Sequence, residues 1–350
     1  MIYVYNYSGK KNNICHTMTQ RIIPWVDPIT NEPLIYEDNY LVSSTSKYEI
    51  RDGIPNFINK INDAVQEQVQ KSFGDKWTKS DFGQNEKEFE EKIKKVFLEF
   101  MGLNEKDLSM FENKIILDVG IGSGSSARLW ASKAKEFHGI DISKAVHKAK
   151  FALQNVTLNP ILSQADLNFL PYRDESFDFI VSNGVFHHTP NTKLALKNSI
   201  TKLKKGGKCL FYIYKKKSPM REFSDDYIRS KVSDLPYELA WNEMKAITNF
   251  GKSLHEQSIE INTPNDIEIL GIKKGKYDLQ RFIYQYFFKC FWNDSWGYDY
   301  SNLTNFDWYH PKFSWRHTEN EIRDWCREFQ LDIEYLKEIE SGFACLTVKK

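Results

Sequence analysis

The stretch Ile115-Ile116-Leu117-Asp118-Val119-Gly120-Ile121-Gly122-Ser123-Gly124 decides the fold. An apolar run the length of a buried strand feeds directly into three glycines at alternate positions. Residues 125–135 then read as a helix. Phe137-His138-Gly139-Ile140-Asp141-Ile142 follows as a second buried strand with an acid near its end. Strand, tight glycine turn, helix N-terminus and a carboxylate about 20 residues downstream are the parts of a nucleoside-binding cradle. Glycine removes the Cβ where the backbone must approach a ligand. The stretch therefore predicts a nucleoside-containing cofactor. Taken alone, it leaves both a dinucleotide and a sulfonium cofactor open.

Features around the loop separate the two. A dinucleotide fingerprint places its third glycine where this chain has Ser125, and here Asp118 stands two residues before the first glycine. A pyrophosphate gains nothing from that extra carboxylate, whereas an ammonium and a sulfonium do. The pattern resembles motif I of class I S-adenosylmethionine (SAM)-dependent methyltransferases. Ser163-Gln164-Ala165-Asp166-Leu167 ends a third strand on another acid. The run from Leu170-Pro171-Tyr172 through Ser176-Phe177-Asp178 to Gly184-Val185-Phe186-His187-His188-Thr189-Pro190 looks like the same family's fourth-strand region. Its subgroup is similar to the ubiquinone- and menaquinone-biosynthesis methyltransferases. Residues 203–214 resemble the family's helix end, Gly206-Gly207 turn and fifth strand. The resemblance spans residues 60–350.

The resemblance implies a fold: an α/β, doubly wound, Rossmann-like sheet, mostly parallel with an antiparallel closing strand. A small β-rich N-terminal module and a helical cap insertion are added to it. It also implies SAM as cofactor, S-adenosylhomocysteine as product, and a set of binding residues. Gly120, Gly122 and Gly124 let the loop pass close to the ligand, and Asp118 faces its cationic amine. Asp141, with Ile142 beside it, accepts both ribose hydroxyls. Asp166 and Leu167 frame the adenine, and Asn183 takes the methionine end. Phe73-Gly74 with Trp77 resembles an element that folds over the cofactor in relatives.

The chain has 350 residues and a formal net charge of +1. That length accommodates two domains or one decorated domain. The neutral balance implies no global attraction to nucleic acid or to a membrane surface. Apolar runs are strand-sized, so no membrane span is expected. Five cysteines, Cys15, Cys209, Cys290, Cys326 and Cys345, are scattered without metal-ligand spacing. The odd count argues against a disulfide framework and for a cytoplasmic protein.

Residues 1–58 form short apolar runs broken by turn signals. They resemble the half-zinc-ribbon module found ahead of such methyltransferases, without its paired Cys-x-x-Cys knuckles. No metal is expected there. Packing would instead come from Trp25, Leu34, Tyr40 and Ile54. Residues 61–73 and 86–101 read as helices, the second with Phe89, Ile93, Val96, Phe97 and Phe100 on one face. Residues 59–214 would be the cofactor-binding core with these helices at its start, and 194–205 the helix before strand five. Residues 215–305 are rich in aromatics and read as the cap, with 281–292 as a buried helix. A plain packing subdomain or a homodimer interface is the alternative. Residues 306–350 return to the core: Thr318 caps a helix with Glu321 completing a capping box, and 331–336 and 343–348 are a closing antiparallel pair.

Methyl transfer is an in-line displacement, so alignment and exclusion of water matter most. A hydroxyl acceptor also needs its proton removed. His187 and His188 follow strand four, beside the expected methyl position, and His188 is the preferred base. His310 and His317 could reach the same space, and Tyr214 could line the acceptor pocket. The favoured acceptor is a small molecule: a sugar, a nucleotide-linked sugar or another secondary metabolite, methylated on O or N. A nucleic-acid methyltransferase is the near rival, disfavoured by the lack of a basic stripe. A non-catalytic SAM-binding partner protein is the rival of another class.

Overall fold

The structure, a computed structural model, describes residues 22–58, 64–79, 86–157 and 159–350. The chain begins with four short strands, β1 (Ile35–Glu37), β2 (Tyr40–Val42), β3 (Lys47–Arg51) and β4 (Ile54–Pro55). They form an antiparallel meander in the order β1-β2-β3-β4. Two helices follow, α1 (Ala64–Lys79) and α2 (Glu86–Phe100).

The core then alternates strand and helix: β5 (Ile115–Val119), α3 (Arg128–Ala131), β6 (Glu136–Asp141), α4 (Ala145–Leu153), β7 (Ile161–Gln164), β8 (Phe177–Asn183), α5 (Thr192–Thr201) and β9 (Leu203–Tyr214). Next come α6 (Pro219–Val232), α7 (Tyr237–Glu256), a hairpin of β10 (Glu260–Thr263) and β11 (Gly275–Asp278), α8 (Leu279–Tyr286) and α9 (Gly297–Tyr309). The chain closes with α10 (Glu319–Glu328), β12 (Leu331–Glu338) and β13 (Gly342–Lys349).

The central sheet runs β12-β13-β9-β8-β5-β6-β7. The five strands from β9 to β7 pair in parallel, and β13 pairs antiparallel with both β9 and β12. This is the Rossmann-like sheet that the resemblance implied, mostly parallel with an antiparallel closing strand. Every residue of β5 is buried. That is why the strand reads as an unbroken apolar run: a parallel strand is covered on both faces. From β5 the chain moves outward through β6 to β7, then returns to the other side with β8 and β9. The order therefore reverses between β5 and β8, and open α/β sheets bind ligands at the carboxyl end of such a switch point.

The N-terminal strands are not a separate body. Asn56 bridges Gln164 of β7 in parallel, and the Phe57 amide donates to the Gln164 carbonyl at 2.8 Å. Trp25 packs against Phe57 and Tyr172, with ring centroids 5.3 and 5.2 Å apart. The meander thus extends the sheet edge and shares its core. Trp25 and Ile54 are buried as expected, while Leu34 and Tyr40 sit at the margin. Cys15 and His16 lie outside the described residues. No group of three or more His, Cys, Asp or Glu among the described residues is placed to hold a metal. Elemental analysis of tag-free protein is expected to find no stoichiometric zinc; one zinc per chain would overturn the metal-free reading.

Three expected helices are shorter than the sequence suggested. Residues 125–135 are helical only over Arg128–Ala131. The one placed over 194–205 ends at Thr201, and β9 already begins at Leu203. Its pairing with β8 skips from Phe177/Leu203 to Phe179/Lys208, so 204–207 bulge outward, with Gly206 at φ +73°. The apolar run 281–292 is helical only as far as Tyr286, as part of α8. Beyond it the backbone is irregular, and buried side chains rather than a helix ladder take up its polar groups. The Phe291 amide donates to Asn305 Oδ1 at 2.8 Å, and the Lys289 amide to Asp225 Oδ1 at 3.0 Å. The Thr318–Glu321 capping box is present at the start of α10. Among the described residues, no helix is long and apolar enough to cross a membrane.

Candidate functional site

A cavity of about 580 Å³ opens at the carboxyl ends of β5, β6, β7, β8 and β9. One half is built by the loops that the sequence singled out. Gly120, Asp141, Ile142, Asp166, Leu167 and Asn183 all line it. Gly120 has φ +74°, and a Cβ built there would stand 2.3 Å from Val185 Cγ2. Only glycine fits that conformation and that contact. The Gly122 amide donates to Asp141 Oδ2 at 2.9 Å, while Asp141 Oδ1 takes the Ser143 amide at 2.8 Å and its hydroxyl at 2.6 Å. Asp141 therefore shapes the glycine loop as well as facing the cavity. A carboxylate has about four acceptor positions. Three are filled here, leaving room for one ribose hydroxyl rather than the expected two.

The structure redistributes several of the expected roles. Asp118 does not line the cavity. It is buried behind the loop and accepts the Trp130 indole N–H at 2.8 Å. Burial raises its carboxyl to about 7, against the pull of that hydrogen bond. Gly122 and Gly124 also lie off the lining, and a Cβ on Gly124 would meet the Ala149 backbone at 3.0 Å. Their part is to let the loop turn and α4 approach. Phe73 lines the cavity, with its ring 4.9 Å from that of His188. Trp77 lies in α1, and its side chain is outside the described residues.

Sequence reasoning did not anticipate how α1 is fastened over this half. Gln66 donates to Asp166 Oδ2 at 2.5 Å and Gln70 to the Ile142 carbonyl at 2.6 Å. Glutamines at i and i+4 share one helix face, so α1 sits across the ends of β6 and β7. The spacing was visible in the chain, but nothing local marked these glutamines as more than surface residues.

The other half is aromatic. Phe97 and Phe100 of α2, Tyr212 and Tyr214 at the end of β9, and Trp296 and Tyr300 from the α8–α9 region line it. Phe100 stacks on Tyr212 at 5.8 Å, and Tyr212 donates its hydroxyl to Ser341 Oγ at 2.7 Å. Lys76 of α1 pairs with Asp307 of α9 at 2.5 Å across the roof.

The histidines separate. His188 lines the cavity, and its Nδ1 is 2.7 Å from the Phe313 carbonyl. A carbonyl only accepts, so Nδ1 carries the proton and Nε2 is the free acceptor. Burial pushes its pKa down to about 3. His187 is 0% exposed, stacks on Tyr214 at 3.8 Å, does not line the cavity, and has no partner for either ring nitrogen among the described residues. His317 is turned away as well: its Nε2 lies 3.0 Å from Thr192 Oγ1 at the start of α5. His310 uses both nitrogens, on Ser72 and on the Leu235 carbonyl. Of the four, only His188 can face a ligand. Both His187 and His188 are held neutral by burial. Their ring-proton resonances are therefore expected not to titrate between pH 8 and 5; a shift centred near the ordinary 6.5 would show that water reaches them.

Residues 117–211 match a family described as a methyltransferase domain. Over this stretch the chain is similar to a methyltransferase domain. The methyltransferase match takes in the glycine loop, Asp141, Asp166, Asn183 and both adjacent histidines. The chain is 29% identical over 120 residues to the uncharacterized methyltransferase YcgJ of Bacillus subtilis, covering 33% of this chain and 47% of that protein. It is 31% identical over 134 residues to phosphoethanolamine N-methyltransferase 1 of Arabidopsis thaliana, covering 37% and 27%. It thus spans less than half the length of these two relatives. Among solved structures, magnesium protoporphyrin IX methyltransferase from Synechocystis PCC 6803 aligns over 84% of this chain and 100% of its own, at 13% identity and TM-score 0.45.

Proposed function

We propose that the chain transfers a methyl group from SAM to a small-molecule acceptor, on an oxygen or nitrogen nucleophile. The observation that supports this reading most is one continuous cavity with two chemically different halves. Its size falls within the range of small-molecule pockets, about 300–1,000 Å³. The half with Gly120, Asp141, Asp166 and Asn183 suits a nucleoside bearing a cationic amino-acid tail. The aromatic half suits a compact acceptor. When bound, SAM supplies an electrophilic methyl group on a sulfonium. The chain's own residues hold the reactants and keep water out.

In this reading Asp141 takes one ribose hydroxyl, Asp166 and Leu167 border the adenine, and Asn183 meets the methionine end. Asp118 acts through Trp130 and the loop rather than on the ligand. His188 Nε2 receives a hydrogen bond from the acceptor. Residues 59–214 carry the cofactor, 215–305 cover the acceptor, 306–350 complete the sheet, and, of the module over 1–58, residues 22–58 brace its β7 edge. A sugar, a nucleotide-linked sugar or another secondary metabolite, met in the cytoplasm, is the acceptor class we favour.

Calorimetric titration tests the cofactor half. S-adenosylhomocysteine is expected to bind and NAD not to; the reverse result would overturn the proposal. Asp141→Ala should weaken S-adenosylhomocysteine by about 1–3 kcal/mol, the usual scale for a charged hydrogen-bond acceptor. Unchanged affinity in that variant would remove Asp141 from the site.

A further inference from the structure

Lys289 sits in the irregular segment between α8 and α9, among the residues that line the aromatic half of the cavity. It is 4% exposed. Its ammonium has no hydrogen-bond or ion-pair partner among the described residues, and lies 4.7 Å from the centre of the Trp308 ring. An unpaired buried ammonium is costly, and one aromatic face compensates it only in part.

The neighbouring charges do not cancel it. Asp225 is already paired with Arg221 at 2.6 Å, and also accepts from Trp308 and Tyr309. Asp307 is already paired with Lys76. Lys217 is a further cation against the Trp308 ring, and His188, held neutral by burial, also faces Lys289. Four cations therefore face two carboxylates, beside the phenols of Tyr214, Tyr284 and Tyr309. The surplus positive charge lies at the cavity wall. The Lys289 backbone is also fixed in advance: its amide donates to Asp225 Oδ1 at 3.0 Å and to the Tyr309 oxygen at 2.8 Å. A charge held that firmly, without a partner, is preorganised for a ligand.

We propose that Lys289 is the anion-binding residue of the acceptor half, which takes a small acceptor carrying one anionic group, a carboxylate or phosphate, on an apolar or aromatic body packed against Phe100, Trp296 and Tyr300. This deepens the methyltransferase reading and rests on it. Burial, with Arg221 nearby, lowers the Lys289 ammonium to about 7. A bound anion favours its charged form, so affinity for the anion should decline as the pH rises above neutrality.

The test uses matched probes on the full chain saturated with S-adenosylhomocysteine. Phenylpropanoates, benzoates and phenyl phosphate are titrated beside their uncharged amides or alcohols and the corresponding amines. At pH 6.5 the anions are expected to bind at least about tenfold more tightly than their uncharged partners, the scale of a charge-assisted hydrogen bond. The preference should vanish in Lys289→Met, persist in Lys289→Arg, and shrink at pH 9. S-adenosylhomocysteine affinity, measured first, should be unchanged in both variants and reports that they are folded. If Lys289→Met does not bind S-adenosylhomocysteine, Lys289→Gln takes its place.

No binding by any anion, equal binding by the uncharged series, or tighter binding by the amines would overturn the proposal. Tighter binding by the amines would assign recognition to Asp307. A preference surviving in Lys289→Met would place the anion elsewhere and overturn it equally. Failure of S-adenosylhomocysteine to bind the unmodified chain is a separate result, and tells against the methyltransferase reading itself.

Discussion

Asp225→Ala is expected to destabilise the folded chain by about 3–5 kcal/mol, the usual cost of removing one partner from a buried ion pair. The Arg221–Asp225 pair lies one helical turn apart on α6, and both side chains are fully buried. Asp225 is also the hub that ties three segments together. Its Oδ2 accepts from Arg221 and from the Trp308 indole at 2.7 Å; its Oδ1 accepts from the Tyr309 hydroxyl at 2.6 Å and the Lys289 amide. Alanine would strand a guanidinium, an indole N–H and a phenol in the interior at once, and each such group carries its own desolvation cost. The midpoint of urea unfolding should fall with little change in its slope. Asp225→Asn, which keeps the shape but not the charge, should fall between the two. A loss under about 1 kcal/mol would mean that apolar packing of α7 against α9, and not this cluster, holds the region together.

What was legible in the sequence was whatever local pattern dictates. The β5 run and its glycines were readable because a parallel strand buried on both faces must be apolar throughout, and because a turn at φ +74° against Val185 tolerates only glycine. The acids at Asp141 and Asp166 were readable by their place at strand ends. Their partners were not. Asp118 was expected to face the ligand, but an indole twelve residues on claims it, and no one-dimensional pattern carries that contact. Lys289 was hidden inside a run of aromatics that read as a continuous helix. It reaches the cavity because the helix stops at Tyr286 and the segment beyond is held by Asp225 and Asn305. His317 was expected to reach the histidine pair, yet it closes on Thr192 instead. The cofactor half rests on local signals from consecutive strand ends. The acceptor half joins α1, α2, β9 and α9, so its residues meet only in three dimensions.

His188→Gln is expected to lower turnover by about 10²–10⁴-fold, the range for loss of a positioned acid–base group, while S-adenosylhomocysteine affinity stays nearly intact. The argument is geometric. The Phe313 carbonyl fixes the Nδ1 proton, Phe73 and Tyr214 hold the ring edge-on at 4.9 and 5.4 Å, and Nε2 is left as the acceptor nitrogen in the cavity. Glutamine could preserve a hydrogen bond to the carbonyl but supplies no comparable base. The pH dependence differs from the ordinary imidazole behaviour that the sequence suggested. Burial lowers the pKa to about 3, so the ring stays neutral throughout the usual working range. No loss of rate near pH 6.5 should trace to His188; its acid limb lies close to pH 3. A base that weak takes only a partial share of the proton, which places the expected effect toward the lower end of the range. His187→Gln is the control. That ring is buried behind Tyr214 and off the cavity lining, so its loss should cost stability rather than turnover. Equal, small losses of rate in both variants would make the pair structural. Proton removal would then fall to another group of the cavity wall, or the acceptor would be nucleophilic enough to need no base.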